Sequence, residues 1–207
     1  MVVSTPRTIE NSGADDPRRA RILEAAMQVF LAYGFSRTTM DDIARAVEIS
    51  RPALYLLFRN KADIFRAVGE TMLARSREGA SAVLFEEGPL DARLMAALDR
   101  ALFQLFRMIE HSPHGDELID VNHNIASDMV AGWRQGMVDC FARAIGEEAQ
   151  RRGVRLEERG LSAQSLAEML FDVLEGLKAR GLCGTHAEES ARRFVTLIDL
   201  ALKENSF

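Results

Sequence analysis

The sequence predicts an all-α chain, and three observations carry the prediction. Apolar residues recur at three- and four-residue spacing along most of the 207 residues. No stretch alternates apolar and polar residues for long enough to make a strand. The composition is rich in Ala, Leu, Arg, Glu and Met, with only 5 prolines and 2 tyrosines, which favours helix over sheet. About nine helices are expected. Residues 17–62 should form an N-terminal three-helix unit and 63–207 a larger helical bundle. The polar, aperiodic stretch 1–16 reads as a disordered tail.

Each element has its own signal. Asp16 followed by Pro17 is a helix start, an acceptor before a proline in the first turn. Ile22, Ala25, Ala26, Val29, Phe30 and Tyr33 then make one apolar stripe, and Gly34 suits the position just past the helix end. Thr39 can cap a second helix with Asp42 as its capping-box partner, burying Ile43, Ala44 and Val47. Ser50 can cap a third, with Pro52 harmless in its first turn and Leu54, Leu57 and Phe58 facing inward. Asn60, with Asp63 three residues on, starts a fourth that should run to about Ser81. Beyond Gly88-Pro89 the spacing predicts one long helix over Leu90–His111, then a break at Pro113 and a shorter helix ending near Asn124. Further helices follow over Ser127–Arg152, Ser162–Arg180 and Ala187–Lys203, with a polar loop from Gly153 to Gly160. There is no internal repeat.

Bulk chemistry narrows the function. Apolar residues are 47% and charged residues 28%, ordinary for a soluble globular protein. The 2 cysteines, Cys140 and Cys183, stand in unlike contexts and form no CxxC pair, so a reducing cytoplasm is expected rather than a disulfide scaffold. No apolar signal segment or run of about 18 apolar residues occurs. The net charge of −5 is unevenly spread. Residues 17–61 hold eight cations and four carboxylates, a net +4, while the stretch from Ala62 onward is net −7. A basic head on an acidic body suits a protein that meets phosphates with one end.

Residues 39–58 have the layout of a helix-turn-helix: a support helix, a tight turn, and a second helix whose first residues enter the major groove. Arg51, at the start of that second helix, can donate two bonds to a guanine edge. Tyr55 and Lys61 are placed for phosphate contacts, and the helix N-termini near Thr39 and Asn60 can add backbone donors. The candidate DNA-contacting set is Thr38, Thr39, Ser50, Arg51, Pro52, Ala53, Tyr55, Leu56 and Lys61.

Across roughly residues 17–68 the chain resembles the tetracycline-repressor (TetR) family of bacterial transcriptional regulators. The carrying residues are Ile22, Leu23, Ala25, Ala26, Phe30, Gly34, Phe35, Thr38, Thr39, Ile43 and Ala44, then Ser50, Arg51, Leu54, Tyr55, Phe58 and Lys61. The resemblance implies a cytoplasmic bacterial homodimer that binds a double-stranded DNA operator. It implies a C-terminal domain that dimerises and senses a small molecule, most simply a repressor released by a largely apolar effector. A regulator without such an effector, constitutive or gated by a protein, is the alternative. The sequence departs from the family at Glu48, where glycine is usual. It departs again at Pro52-Ala53, often Gly-Thr, and at Leu56-Leu57, often His-Tyr. A turn that needs positive φ at Glu48 would be strained.

The C-terminal half is less specific. Leu170, Val173, Leu174, Leu177, Phe194 and Ile198 on the last two helices are the candidate dimer face, by analogy with the family's paired final helices. Phe103, Phe106, His111, Asn122, His123, Met129, Trp133, Met137, Cys140 and Phe141 combine aromatic, Met and polar groups in a pattern that suits an apolar ligand pocket. His111, His114, Asp116, Asp120 and His123 cluster, but without thiols or a repeated ligand motif they read as pocket lining or a solvated helix start. No metal and no cofactor is expected. No nucleophile elbow, P-loop, HExxH or dinucleotide turn occurs, so the chain does not read as an enzyme.

Overall fold

A computed structural model describes residues 17–181 and 184–203, with backbone alone at 122–124. The tail 1–16, its Asp16 cap and Cys183 lie outside the described residues. The helices are α1 (Pro17–Tyr33), α2 (Met40–Ala46), α3 (Arg51–Tyr55), α4 (Lys61–Leu84), α5 (Leu90–Leu98), α6 (Gln104–Glu110), α7 (Gly115–Ile125), α8 (Ser127–Arg151), α9 (Ala163–Ala179) and α10 (Thr185–Ala201). A π-helical turn, Asp99–Phe103, joins α5 to α6 without a break, so the expected long helix is there with a bulge inside it. Counted that way the described residues hold nine helices and no strand, an all-α fold.

The caps sit where local chemistry puts them. The Thr39 hydroxyl accepts from the Asp42 N–H at 3.2 Å and the Asp42 carboxylate accepts from the Thr39 N–H at 2.9 Å, a reciprocal capping box. Asn60 accepts from the Asp63 N–H at 2.8 Å, and Ser162 accepts from the Ser165 N–H at 3.0 Å. Helix α4 continues one turn past Ser81 to Leu84. The 153–160 connection is not simply polar. Val154 and Leu156 are buried, with a 3₁₀ turn over Leu156–Arg159.

Two apolar cores form. The head core joins Ile22, Ala26 and Phe30 of α1 to Ile43 and Ala44 of α2, Leu54, Phe58, and Ile64 and Val68 of α4. Phe30, Phe35 and Phe65 pack as a trio with ring centroids 5.2–5.8 Å apart. The body core runs from Leu84 and Leu94 through Phe103, Met137 and Phe141 to Leu170, Phe171, Val195 and Ile198. Helix α4 supplies both cores, Ile64 and Val68 to one and Ala80 and Leu84 to the other, so head and body meet inside a helix and not across a linker.

Helix α7 adds a second joint. Its Leu118 is buried in the head core. The Ser36 N–H donates to Glu117 Oε1 at 2.6 Å, the Ser112 hydroxyl donates to the Leu31 carbonyl at 2.7 Å, and Arg37 Nη2 meets His114 Nε2 at 2.7 Å. Gly34, at φ 77°, adopts a backbone conformation that favours glycine, and a Cβ there would push the Glu117 carboxylate aside. Arg66 of α4 donates to the Ile125 carbonyl at 2.8 Å and pairs with Asp128 of α8.

One buried ionic cluster locks the body. Glu148 of α8 is 4% exposed and accepts from Arg93 at 3.0 Å, from Arg152 at 2.6 Å, and from Arg151. Arg93 also donates to the Leu84 and Gly88 carbonyls, so the α4–α5 turn is tied to α8, and Arg152 goes on to Asp199 of α10. The Arg93–Glu148 and Arg152–Asp199 pairs span more than forty residues of sequence and had no local signal.

Candidate nucleic-acid interface

Helix α3 is anchored from below and open above. Leu54 is fully buried and Phe58 nearly so, and Ser50 caps the start by accepting from the Ala53 N–H at 3.3 Å. Helical hydrogen bonding continues past Tyr55, with the Leu56 N–H donating to Pro52 at 3.2 Å and the Phe58 N–H to Leu54 at 3.0 Å. That anchorage leaves Arg51, Pro52, Tyr55 and Leu56 exposed on one side. The Arg51 guanidinium lies 5.6 Å from the Tyr55 ring centroid and its Nη2 is 3.4 Å from the phenol oxygen, so the tyrosine steadies the arginine while leaving other donors outward. Arg59 is exposed nearby, and Arg19 of α1 rests 4.6 Å over the Phe58 ring.

The turn before α3 stores strain. Glu48 has φ 59°, the left-handed conformation foreshadowed by the sequence departure there, and among the described residues no other non-glycine has positive φ. Relief of that strain outweighs the extra chain entropy of glycine. Glu48→Gly is therefore expected to raise the unfolding free energy by about 0.5–1 kcal/mol, read as a higher urea midpoint at unchanged slope.

Several residues of the expected interface are turned elsewhere. Thr38 is buried and its hydroxyl donates to the Gly34 carbonyl at 2.6 Å, so its side chain stabilises the α1–α2 turn. The Thr39 hydroxyl is engaged with Asp42, and carboxylates of Asp42 and Asp63 occupy the N-terminal turns of α2 and α4, where free backbone donors were expected. Hydrogen bonding to Thr39 holds the Asp42 carboxyl below the usual carboxylate range. The Lys61 ammonium donates to the Phe35 carbonyl at 2.6 Å and to Ser36 at 3.2 Å, and sits 4.3 Å from the Phe35 ring centroid. Burial lowers its pKa from the ordinary value, against the pull of Glu117. Lys61 first of all staples the α1–α2 turn, with one of its three donors left for a phosphate.

The described residues of the expected ligand pocket are divided between the packed core and the surface. Phe103, Met137 and Phe141 are packed inside the body core, and Phe106, Trp133 and Cys140 lie against it. The Trp133 indole N–H donates to the Ser76 hydroxyl at 2.9 Å, pinning α8 to α4. His111 is exposed at the end of α6 with Nδ1 2.5 Å from the Arg107 carbonyl, and Met129 is half-buried near the start of α8. The side chains of Asn122 and His123 lie outside the described residues. Hollows open instead at the α6–α7 turn, about 240 Å³ beside Ile109, His114 and Glu117, and along α3 and α4, about 400 Å³ beside Arg19, Tyr55 and Arg66. Among the described residues no acidic, His or Cys cluster has metal-site geometry.

The expected dimer face is divided within the protomer. Leu170, Leu174 and Ile198 are buried within the protomer, and Leu177 and Phe194 are half-buried. Only Val173 of the expected set is exposed. Each helix carries a second apolar strip that stays open: Met169, Val173 and Gly176 on α9, and Leu197 and Leu200 on α10. Their three- and four-residue spacing was readable in the sequence, but nothing local says which of two apolar strips turns inward.

Known proteins share both the head and the whole-chain architecture. A family model for bacterial regulatory proteins of the tetR family matches residues 22–68. The transcriptional activator FasR of Mycolicibacterium smegmatis is 30% identical over 159 residues, covering 73% of this chain and 70% of its own. The transcriptional regulator TtgR of Pseudomonas putida is 28% identical over 183 residues, covering 79% and 80%. The structure of a TetR/AcrR-family regulator from Thermobifida fusca shares the fold at a TM-score of 0.64 and 18% identity, over 93% of this chain and all of its own. With helix-turn-helix, capping residues and whole-chain similarity in agreement, the chain belongs to the TetR family of helix-turn-helix transcriptional regulators.

Proposed function

We propose that the protein acts as a dimer on an approximately palindromic operator, each protomer reading one half-site with α3. The observation that carries the reading is the outward Arg51–Tyr55 strip held on the buried Leu54–Phe58 base. Arg51 supplies base readout and Tyr55 a phosphate contact, with the surrounding arginines giving salt-dependent affinity. The open strips on α9 and α10 support a two-fold interface of paired helices, in which Met169, Val173, Leu197 and Leu200 lose their exposure. Occupancy of an operator that overlaps a promoter represses; the sign of regulation follows from operator position.

Arg51→Ala is expected to cost about 1–3 kcal/mol on a selected operator and to relax preference at one base pair per half-site, with little change in salt slope. Lys61→Ala is expected to lower the thermal midpoint as well as affinity, because it removes the staple on Phe35 and Ser36. Fluorescence anisotropy on operators obtained by in vitro selection, titrated with salt, tests both. An Arg51→Ala protein with wild-type discrimination between selected and scrambled duplexes would remove Arg51 from base readout.

A small apolar effector that used the expected pocket residues would have to displace Phe103, Met137 and Phe141, which are packed in the body core. It acts only if it favours a state in which that core opens and the head moves through α7 and α4. The filled core also supports the second reading, regulation without a small effector. Native mass spectrometry of protein from its host separates them, since a retained small molecule favours the first and an empty dimer the second.

A further inference from the structure

Of the large apolar side chains left exposed among the described residues, Leu56 is the most open at 85%, the others ranging from 36% to 60%. A lone exposed leucine elsewhere on the surface would need no explanation. This one stands among exposed cations, with Arg51 and Arg59 within five residues of it at α3. It has company of its own kind. Pro52 and Leu56 are one helical turn apart, joined by the 3.2 Å bond from the Leu56 N–H to the Pro52 carbonyl, and Ala53 lies three residues before Leu56 on the same side. The outer surface of α3 therefore carries two parallel strips: a polar one of Arg51 and Tyr55, paired at 3.4 Å, and an apolar one of Pro52 and Leu56.

A major groove presents a matching pair of chemistries. Guanine offers two acceptors to an arginine, and thymine offers a 5-methyl group, the one apolar feature on a base edge. The apolar strip spans one turn, about 5.4 Å along the helix. Base pairs are spaced about 3.4 Å, so the strip covers one or two steps beside the base that Arg51 reads. No donor or acceptor on Pro52, Ala53 or Leu56 side chains competes for a polar base edge.

We infer that Leu56 is a specificity residue that packs on a thymine 5-methyl group in each operator half-site, next to the base pair read by Arg51. The inference rests on the proposed DNA-binding reading and adds to it the base that the apolar strip selects. Cytosine differs from thymine on this edge by an amino donor and the missing methyl, and both differences count against it beside a leucine.

The test uses the full-length protein and an operator obtained by in vitro selection. Each thymine is replaced in turn by deoxyuridine, which removes the methyl group and nothing else. At one thymine per half-site, wild-type protein is expected to lose about fourfold in affinity, the factor that burial of one methyl carries. In Leu56→Ala the same replacement should change affinity by less than about 1.5-fold, because the partner of the methyl is gone. The variant removes an exposed side chain, and an unchanged thermal midpoint shows that it still folds. Wild-type affinity unchanged by uracil at every thymine, on an operator that is still bound in a salt-dependent way, overturns the inference and leaves the DNA-binding reading intact. An equal uracil penalty in wild type and Leu56→Ala overturns the assignment to Leu56. Failure to bind any duplex at low salt overturns both readings together.

Discussion

Replacing Leu197 with aspartate will leave the protomer folded and will weaken operator binding by about a hundredfold or more. Within the protomer Leu197 is 58% exposed and Leu200 49%, so a carboxylate at 197 remains solvated and costs the monomer little. Across a two-fold axis the same carboxylate would be buried against its own copy, an unpaired charge facing a like charge. A dimer with two heads binds its second half-site as an intramolecular event, an advantage of about 10²–10⁴ over one head. Loss of the dimer forfeits that factor and leaves the half-site affinity unchanged. Analytical ultracentrifugation should report a monomer mass, and anisotropy should give equal affinities for one-half-site and two-half-site duplexes. A variant that still sediments as a dimer would move the interface off the α9–α10 strips.

Glu148→Gln should lower the unfolding free energy by about 3–5 kcal/mol, the usual cost of removing one member of a buried ionic group. Arg93 would lose its charged partner while its side chain stays 13% exposed, and the α4–α5 turn would lose its tie to α8. At roughly 2–4 °C per kcal/mol for a chain of this size, the thermal midpoint should drop by on the order of 10 °C. The variant also has a pH signature. Burial works to raise the Glu148 carboxyl, but hydrogen bonds and charges from Arg152 and Arg151 outweigh it and hold the group below the ordinary carboxylate range. A depressed carboxyl contributes stability that is fully present above its unfolded value, near about 4.3, and is lost as pH falls through the folded value. Wild type should therefore lose stability more steeply than the variant below about pH 4. A loss under about 1 kcal/mol, with parallel acid limbs, would show that the cluster is solvated and structurally minor.

The sequence by itself determined what depends on neighbours three and four residues away. Thr39 with Asp42, and Asn60 with Asp63, start their helices where a short acceptor meets free N–H groups. Leu54 and Phe58 face in and Arg51 and Tyr55 face out because helical periodicity separates them. Even the strain at Glu48 was legible, since the turn needs positive φ whatever residue occupies it. What needed tertiary structure was every choice between equivalent faces and every partner distant in sequence. Helices α9 and α10 have two apolar strips each, and packing against α5 and α8 decided that Leu170, Leu174 and Ile198 turn inward while Met169, Val173, Leu197 and Leu200 stay open. Lys61 looked like a phosphate ligand because a helix-start lysine has no local partner; the carbonyls of Phe35 and Ser36 reach it only once α1 and α4 pack. Glu148 with Arg93 and Asp199 with Arg152 follow the same rule. Caps and periodicity are set by short-range geometry, whereas burial and long-range ion pairing are properties of the assembled chain.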